Sequence, residues 1–352
     1  MWAVQGVDGV ASIVQVDRPV VGARQVLIEV AAAGVNRADL LQVAGHYPPP
    51  AGVPQTLGLE AAGTIVEVGS ELDVSQWLGR SVVALVEGGA QAEYCVANPD
   101  LCLPVPVVGR LDGYVAGAAL LEAAVTAWHN LVNLEPRITW MDGPHDGFLA
   151  GRDPYGESWR YPVGFSVLIQ GGSGGVGTVA VQLAKALGAH VAATAGDEAR
   201  LQKVTLLGAD GVADYRDEES LKKAFEDVTD CLGFDLILDV SGAGGLESNI
   251  NLLKTGGRLS VIGLQKGAHG EIDLAYFLQK QATLQGSTIR ALDTDTKVDL
   301  VHAVGEYVWP AVESGQIHPV IAETYPFAKV AQAHEALGVK TNRPFGKLIL
   351  AK

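Results

Sequence analysis

The sequence predicts an α/β protein of two domains, one on a doubly wound parallel sheet and one rich in short strands. Three features point to it. A short apolar run, Ser166-Val167-Leu168-Ile169, leads into Gly172-Ser173-Gly174-Gly175-Val176-Gly177. Apolar residues then recur at Val176, Val179, Ala180, Leu183, Ala184 and Leu187, the spacing of one helix face. From Phe165 onward strand-like and helix-like stretches alternate, the rhythm of parallel strands joined by crossover helices.

Taken in order, 25–33, 63–69, 81–86 and 91–96 are β-prone runs between glycine, proline and polar turns, and 116–134 reads as a helix. After the strand that precedes Gly172, a strand is expected at 190–194 with a helix from Glu198. Another strand is expected at 234–240 with a helix over 246–253, and two more at 257–263 and 283–289. Beyond Thr296 a longer helix and a terminal strand at 347–350 return to the first domain. The expected domains are therefore 1–125 with 292–352, and 126–291. Between Leu134 and Pro162 the periodicity lapses in a stretch rich in Gly, Asp and Pro. It also carries Trp140, Phe148, Tyr155, Trp159 and Tyr161, so 135–161 reads as an insert: a cap over the substrate, or a surface excursion or subunit contact.

The 352 residues are 48% hydrophobic and 18% charged, which suits a globular enzyme. A net charge of −15 repels nucleic acid and anionic membranes. No apolar run reaches the length of a membrane span, and the N-terminus lacks a basic stretch followed by an apolar one, so a cytoplasmic protein is expected. Cys95, Cys102 and Cys231 include no C-x-x-C pair and are too few for a disulfide framework or a four-thiolate metal site.

Glycines at Gly172, Gly174 and Gly177 allow a tight turn, close approach of a pyrophosphate and close packing of helix on strand, with the phosphate at the helix N-terminus. In that strand–turn–helix setting the motif predicts a dinucleotide site. Ser173 also completes a Gly171-x-Ser173-x-Gly175 string, the form of a hydrolase elbow, but reads more simply as a loop residue facing a phosphate.

The segments Gly34-Val35-Asn36-Arg37-Ala38-Asp39-Leu40-Leu41, Gly45-His46-Tyr47-Pro48-Pro49-Pro50 and Leu57-Gly58-Leu59-Glu60, with the glycine loop, resemble the zinc-free quinone oxidoreductases of the medium-chain dehydrogenase/reductase superfamily. The likeness is greatest to the zeta-crystallin-like, tumour-suppressor-inducible subgroup. It extends through Gly256-Gly257-Arg258, Gly263-Leu264 and Gly286-Ser287-Thr288-Ile289-Arg290, and omits only about 135–161. It implies a GroES-like substrate domain beside a Rossmann cofactor domain. Zinc alcohol dehydrogenases, more distantly similar, place a cysteine and a histidine near Asn36 and Leu59; neither residue here suits zinc, so no metal is expected.

The second strand of the cofactor sheet ends at Ala195, where NAD-type sites carry an acid for the ribose. With Arg200 and Tyr215 at positions where the family contacts a 2′-phosphate, NADPH is expected ahead of NADH. Asp197 and Glu198 compete, since Arg200 can instead pair with such acids. The resemblance places Gly172, Ser173, Gly174, Gly175, Val176, Gly177, Gly263, Leu264 and Lys347 at the cofactor. It places Asn36, Tyr47 and Thr126 along the nicotinamide and substrate cleft. Asn36 and Tyr47 would donate to a carbonyl oxygen gaining charge, and Thr126 would hold the carboxamide. Bland alternatives stand beside these: Tyr47 as a packing residue among prolines, Asn36 as a turn residue, Lys347 as a plain strand residue. The expected activity is hydride transfer from NADPH to a quinone or related conjugated carbonyl. Alternatives are reduction of an enone or enoyl-thioester double bond, and non-catalytic NADPH binding. The resemblance also implies a homodimer joined through the last strands of the cofactor sheet.

Overall fold

In the computed structural model, which describes residues 1–137, 139–141, 149–150, 158–339 and 343–352, the chain divides into two compact units. One comprises Met1–Val125, Leu292–Gly305 and Val312–Lys352, and the other Thr126–Ala291 and Glu306–Ala311.

The second unit is organised by a six-stranded parallel sheet. Its spatial order is Gly211–Asp214, His190–Ala195, Ser166–Ile169, Phe234–Asp239, Leu253–Val261, Thr283–Gly286. In chain order that is 3-2-1-4-5-6, so the winding reverses between Ser166–Ile169 and Phe234–Asp239, the switch point at which such sheets bind ligands. Both strands are buried at every residue, as a sheet covered on two faces requires. Leu168, Ala192, Phe225, Phe234, Ile237, Ile250 and Leu253 form one core cluster.

The first unit is a seven-stranded sheet in the order Ile321–Pro326, Lys347–Ala351, Val26–Val35, Glu60–Val68, Ser81–Leu85, Cys102–Pro104, with Tyr94–Ala97 also paired to Val26–Val35. Only the first two strands run parallel; the C-terminal strand therefore sits inside this sheet. A separate hairpin, Trp2–Val7 with Val10–Gln15, turns through Asp8 and Gly9, both at positive φ (49° and 78°). Asp-Gly is the signature of that two-residue turn, and it stands unread in the sequence expectations above.

Most expected elements form within a few residues. The helix expected at 116–134 starts at Gly113, runs to Trp128 and widens into a π-helical turn, His129–Asn133. By length and composition this 21-residue run could cross a membrane, which corrects the expectation that no such run exists, but 89% of its most apolar window is buried inside the protein. The strand expected over 283–289 stops at Gly286 and gives way to a 3-10 turn, Ile289–Ala291. Parts of the 135–161 insert are a three-stranded antiparallel sheet, ordered Thr139–Met141, Ser158–Arg160, Leu149–Ala150. Residues 138, 142–148 and 151–157, Phe148 and Tyr155 among them, lie outside the described residues. Both ends of the insert are fastened. Arg137 bonds Glu135 and Asp235 and lies over the Phe165 ring, and Tyr161 stacks on Phe165 while donating its hydroxyl to Leu131 O at 2.6 Å.

Candidate active site

Parallel strands place all their C-terminal ends on one edge of the sheet, and the glycine turn lies there. Gly171 adopts φ +76°, its N–H bonding Thr194 Oγ1 at 3.0 Å, while Gly172 N bonds Thr194 O at 2.9 Å. Thr194 Oγ1 in turn donates to Gln170 Oε1, and Gln170 Nε2 to Asn249 Oδ1 at 2.7 Å, so side chains of three elements brace the turn. The helix Gly175–Ala186 follows with Gly174 as its N-cap. Glycine has no side chain to cap with, and the N–H groups of Gly175, Val176 and Gly177 precede the first intrahelical bond, Thr178 N to Gly174 O. Three aligned donors at the positive end of a helix dipole suit a pyrophosphate. A methyl on Gly174 would come no closer than 3.5 Å to other atoms, so the cradle has room.

At the same edge, Gly196 follows the second strand and packs on the Tyr215 ring. Tyr215 is 39% exposed, with Lys266 Nζ 5.1 Å and the Arg216 guanidinium 5.8 Å from its ring centroid. Arg216 is held by Asp214 and by Gly196 O. Arg200 pairs with Asp197 at 3.1 Å, and Asp197 also caps its helix by accepting from Arg200 N. Asp197 is thus engaged locally, and the pairing raised as the alternative for Arg200 exists. Gly263 and Leu264 lie in the loop after Leu253–Val261, with Leu264 58% exposed. Arg216 and Lys266 had no place among the expected site residues; Arg216 directly follows Tyr215 in the chain, and convergence of strand ends brings Lys266 to the same ring.

In the first unit, Asn36 ends the strand Val26–Val35 and is the N-cap of the helix Arg37–Val43. Its side chain reaches a buried ionic cluster. Nδ2 donates to Glu60 Oε1 at 3.2 Å, and Oδ1 accepts from Lys347 Nζ at 2.6 Å. Lys347 also meets Glu60 at 2.7 Å and Glu122 at 3.6 Å, while Glu60 Oε2 accepts the Glu122 backbone N–H at 2.9 Å. Lys347, expected at the cofactor phosphates, has a side chain 4% exposed whose ammonium meets two carboxylates and an amide of its own unit.

Burial pushes Glu60 above the ordinary carboxylate range against the pull of Lys347. Burial lowers Lys347, but Glu60 and Glu122 outweigh it and hold the ammonium above its usual value. Next along, Asp39 accepts from Asn36 N at 2.8 Å, Gly58 N at 3.1 Å and Gln91 Nε2 at 2.9 Å, and burial still lifts it to about 7. Gln91 Oε1 meets His334 Nε2 at 3.3 Å; burial drops that histidine to about 4. Tyr47 is half-buried in the loop beyond that helix, and Thr126, in the second unit, is buried with its backbone oxygen accepting from Asn130 Nδ2 at 2.8 Å. The structure therefore brings Asn36 together with Lys347, and gathers the glycine turn, Tyr215 and the 263–266 loop along one sheet edge.

Residues 22–136 match the alcohol dehydrogenase GroES-like domain and residues 175–303 match the zinc-binding dehydrogenase domain. A GroES-like domain joined to a six-stranded dinucleotide-type sheet defines an oxidoreductase of the medium-chain dehydrogenase/reductase superfamily. The quinone oxidoreductase of Lama guanicoe is 31% identical over 332 residues, 94% of this chain and 90% of that protein. Among solved structures, an alcohol dehydrogenase superfamily protein from Novosphingobium aromaticivorans aligns with a TM-score of 0.78 at 27% identity, covering 100% of this chain and 99% of that one. The quinone oxidoreductase of Thermus thermophilus, solved also with NADPH, aligns with a TM-score of 0.75 at 26% identity, covering 100% and 99%. The chain belongs to the quinone oxidoreductase family.

Proposed function

We propose that the chain is a zinc-independent reductase that transfers hydride from NADPH to a quinone or related conjugated carbonyl, and that it works as a cytoplasmic homodimer. The observation that carries the reading is the uncapped helix N-terminus behind the Gly171 turn, in a chain 31% identical to a quinone oxidoreductase. Its N–H groups at Gly175, Val176 and Gly177 hold the pyrophosphate. Lys266 and Arg216 beside Tyr215, with Arg200 in the first turn of the helix that follows the second strand, supply positive charge for a 2′-phosphate, at a strand end that carries no ribose-binding acid. NADPH supplies the hydride when bound. Asn36 and Tyr47 offer neutral donors to the acceptor oxygen as it gains charge, Thr126 holds the carboxamide, and water delivers the proton.

Zinc independence is supported at Asn36 itself. Its side-chain oxygen already accepts from the Lys347 ammonium, which repels a cation. The dimer reading is supported by the edge strand Thr283–Gly286, whose Leu284 is 43% exposed on an open sheet edge; light scattering of the purified protein tests it.

The activity test is NADPH oxidation against ortho- and para-quinones, simple enones and enoyl thioesters, with NADH in parallel. Quinone turnover with NADPH supports the reading. Turnover confined to enones or thioesters replaces it with a double-bond reductase, and tight NADPH binding without turnover with a binding protein. The double substitution Arg200→Ala/Lys266→Ala is expected to lower the NADPH-over-NADH preference in kcat/KM roughly 10- to 100-fold while leaving NADH kinetics near wild type. An unchanged preference removes both residues from 2′-phosphate recognition.

A further inference from the structure

We infer that Lys347 and Glu60 are positioning residues that fix the Asn36 carboxamide in one orientation and strengthen it as a hydrogen-bond donor. The inference rests on the proposed role of Asn36 as a donor to the acceptor oxygen. The three side chains close a triangle: Lys347 Nζ to Asn36 Oδ1 at 2.6 Å, Asn36 Nδ2 to Glu60 Oε1 at 3.2 Å, Lys347 Nζ to Glu60 Oε1 at 2.7 Å.

An ammonium only donates, and an ionised carboxylate only accepts. Rotating the amide by half a turn would set its NH2 against the ammonium and its oxygen against the carboxylate, two repulsions in a buried site. The amide is therefore locked. One of its N–H bonds is used on Glu60, and the other has no partner among the described residues. A positive charge on the amide oxygen polarises the group and makes that remaining N–H a stronger donor.

The chain makes room for this arrangement. A methyl on Gly34 would come within 2.8 Å of Glu60 Cδ and overlap Oε1 still more, so Glu60 lies flat against a glycine backbone. Gly346, at φ +102°, brings Lys347 in directly behind a left-handed residue whose own methyl would strike the Val320 backbone. Stability alone does not account for such a pair, because buried ion pairs are often replaceable by apolar residues without loss. Placement on the oxygen and nitrogen of one amide gives it a task.

The test uses Lys347→Met, Lys347→Arg and Glu60→Gln beside Asn36→Ala, all in the full chain. The first readout needs no turnover. Selective nitrogen-15 labelling of asparagine gives side-chain NH2 signals, and the Asn36 pair is identified by its loss in Asn36→Ala. Hydrogen exchange of that pair is expected to be slow in the wild type and roughly tenfold or more faster in Lys347→Met. Equal exchange in the two proteins overturns the lock.

The second readout is NADPH oxidation by para-benzoquinone. Lys347→Met is expected to lower kcat roughly 10- to 100-fold with NADPH affinity, read by fluorescence titration, unchanged, and Lys347→Arg to recover most of it. Lys347→Met should add nothing to Asn36→Ala in the double variant, whereas independent, multiplying losses overturn the inference. If Asn36→Ala turns over like wild type, the role of Asn36 fails and positioning fails with it. If Asn36→Ala is impaired and Lys347→Met is not, positioning alone fails. Should Lys347→Met not fold, isosteric Glu60→Gln carries both readouts, with losses of the same sign expected and none overturning the inference.

Discussion

Gly177→Ala is expected to raise the dissociation constant for NADPH at least roughly 100-fold and to lower stability by about 3 kcal/mol. Gly177 is the third residue of the helix, and its Cα faces the turn that precedes that helix. A methyl there would lie 2.9 Å from Gly171 C and Gly172 Cα and would overlap Gly171 O more deeply. All three are backbone atoms, so no side chain can swing aside. The Gly171 turn is itself anchored by Thr194 and by a positive φ, and relief must come from separating helix and strand. That movement displaces the N–H groups of Gly175 and Val176 from the positions a pyrophosphate needs. Gly174→Ala is the control. Its methyl meets nothing nearer than 3.5 Å, so its thermal unfolding should match wild type within a degree or two. Fluorescence titration and calorimetry of both variants decide the matter; a Gly177→Ala protein binding NADPH within threefold of wild type would sink it.

That prediction was open to sequence reasoning because every residue it needs is local. Strand, turn, glycine spacing and amphipathic helix are consecutive, and each level of the pattern agrees with the next. The doubly wound sheet was legible for the same reason: Ser166–Ile169, His190–Ala195 and Phe234–Asp239 are short buried runs bounded by turn residues. The helices Arg37–Val43, Glu218–Thr229 and Val330–Gly338 went unread, two of them short and one with lysine and glutamate among its apolar positions. The Asn36 cluster was out of reach in a different way. Lys347 and Asn36 are 311 positions apart, and a charged side chain at a strand end reads as solvated. A usable signal exists nonetheless. Glu60 and Lys347 each open a strand whose following residues are small or apolar, Glu60-Ala61-Ala62 and Lys347-Leu348-Ile349-Leu350. A charge at the head of a strand whose first residues are buried needs a partner, and two of opposite sign suggest one another. Lys266 lacked even that, since only the parallel register brings its loop to Tyr215, whereas Arg216 was within reach as the neighbour of Tyr215 in the chain.

The hydrogen-bonded row Asp39–Gln91–His334 leads to the second large effect, an opposing pair of pH dependences that single substitutions should separate. Burial lifts Asp39 to about 7, above the 3.8 of an unperturbed aspartate, against the pull of the Asn36 and Gly58 N–H groups and Lys347. Between those values the folded protein keeps a proton that the unfolded chain releases, so this group makes stability fall as pH rises, by about 4 kcal/mol in all. Burial drops His334 to about 4, below the ordinary 6.5. There the unfolded chain takes up a proton that the folded protein refuses, so this group makes stability rise with pH, by about 3 kcal/mol. From about pH 4 to 6.5 the two slopes oppose each other across Gln91, which donates to Asp39 and meets His334 Nε2 with its oxygen. His334→Leu should therefore expose a decline in stability toward neutral pH relative to wild type, and Asp39→Asn a rise. Each replacement also shifts the absolute level, because Gln91 loses a hydrogen-bond partner worth about 1 kcal/mol. The slope is the informative quantity, since every other titrating group cancels in the difference from wild type. Urea unfolding of the three proteins at half-unit steps from pH 4.5 to 7.5 measures it. Divergence of the two variants to opposite sides of wild type is the expected result, while parallel curves would mean that neither group changes its proton affinity on folding.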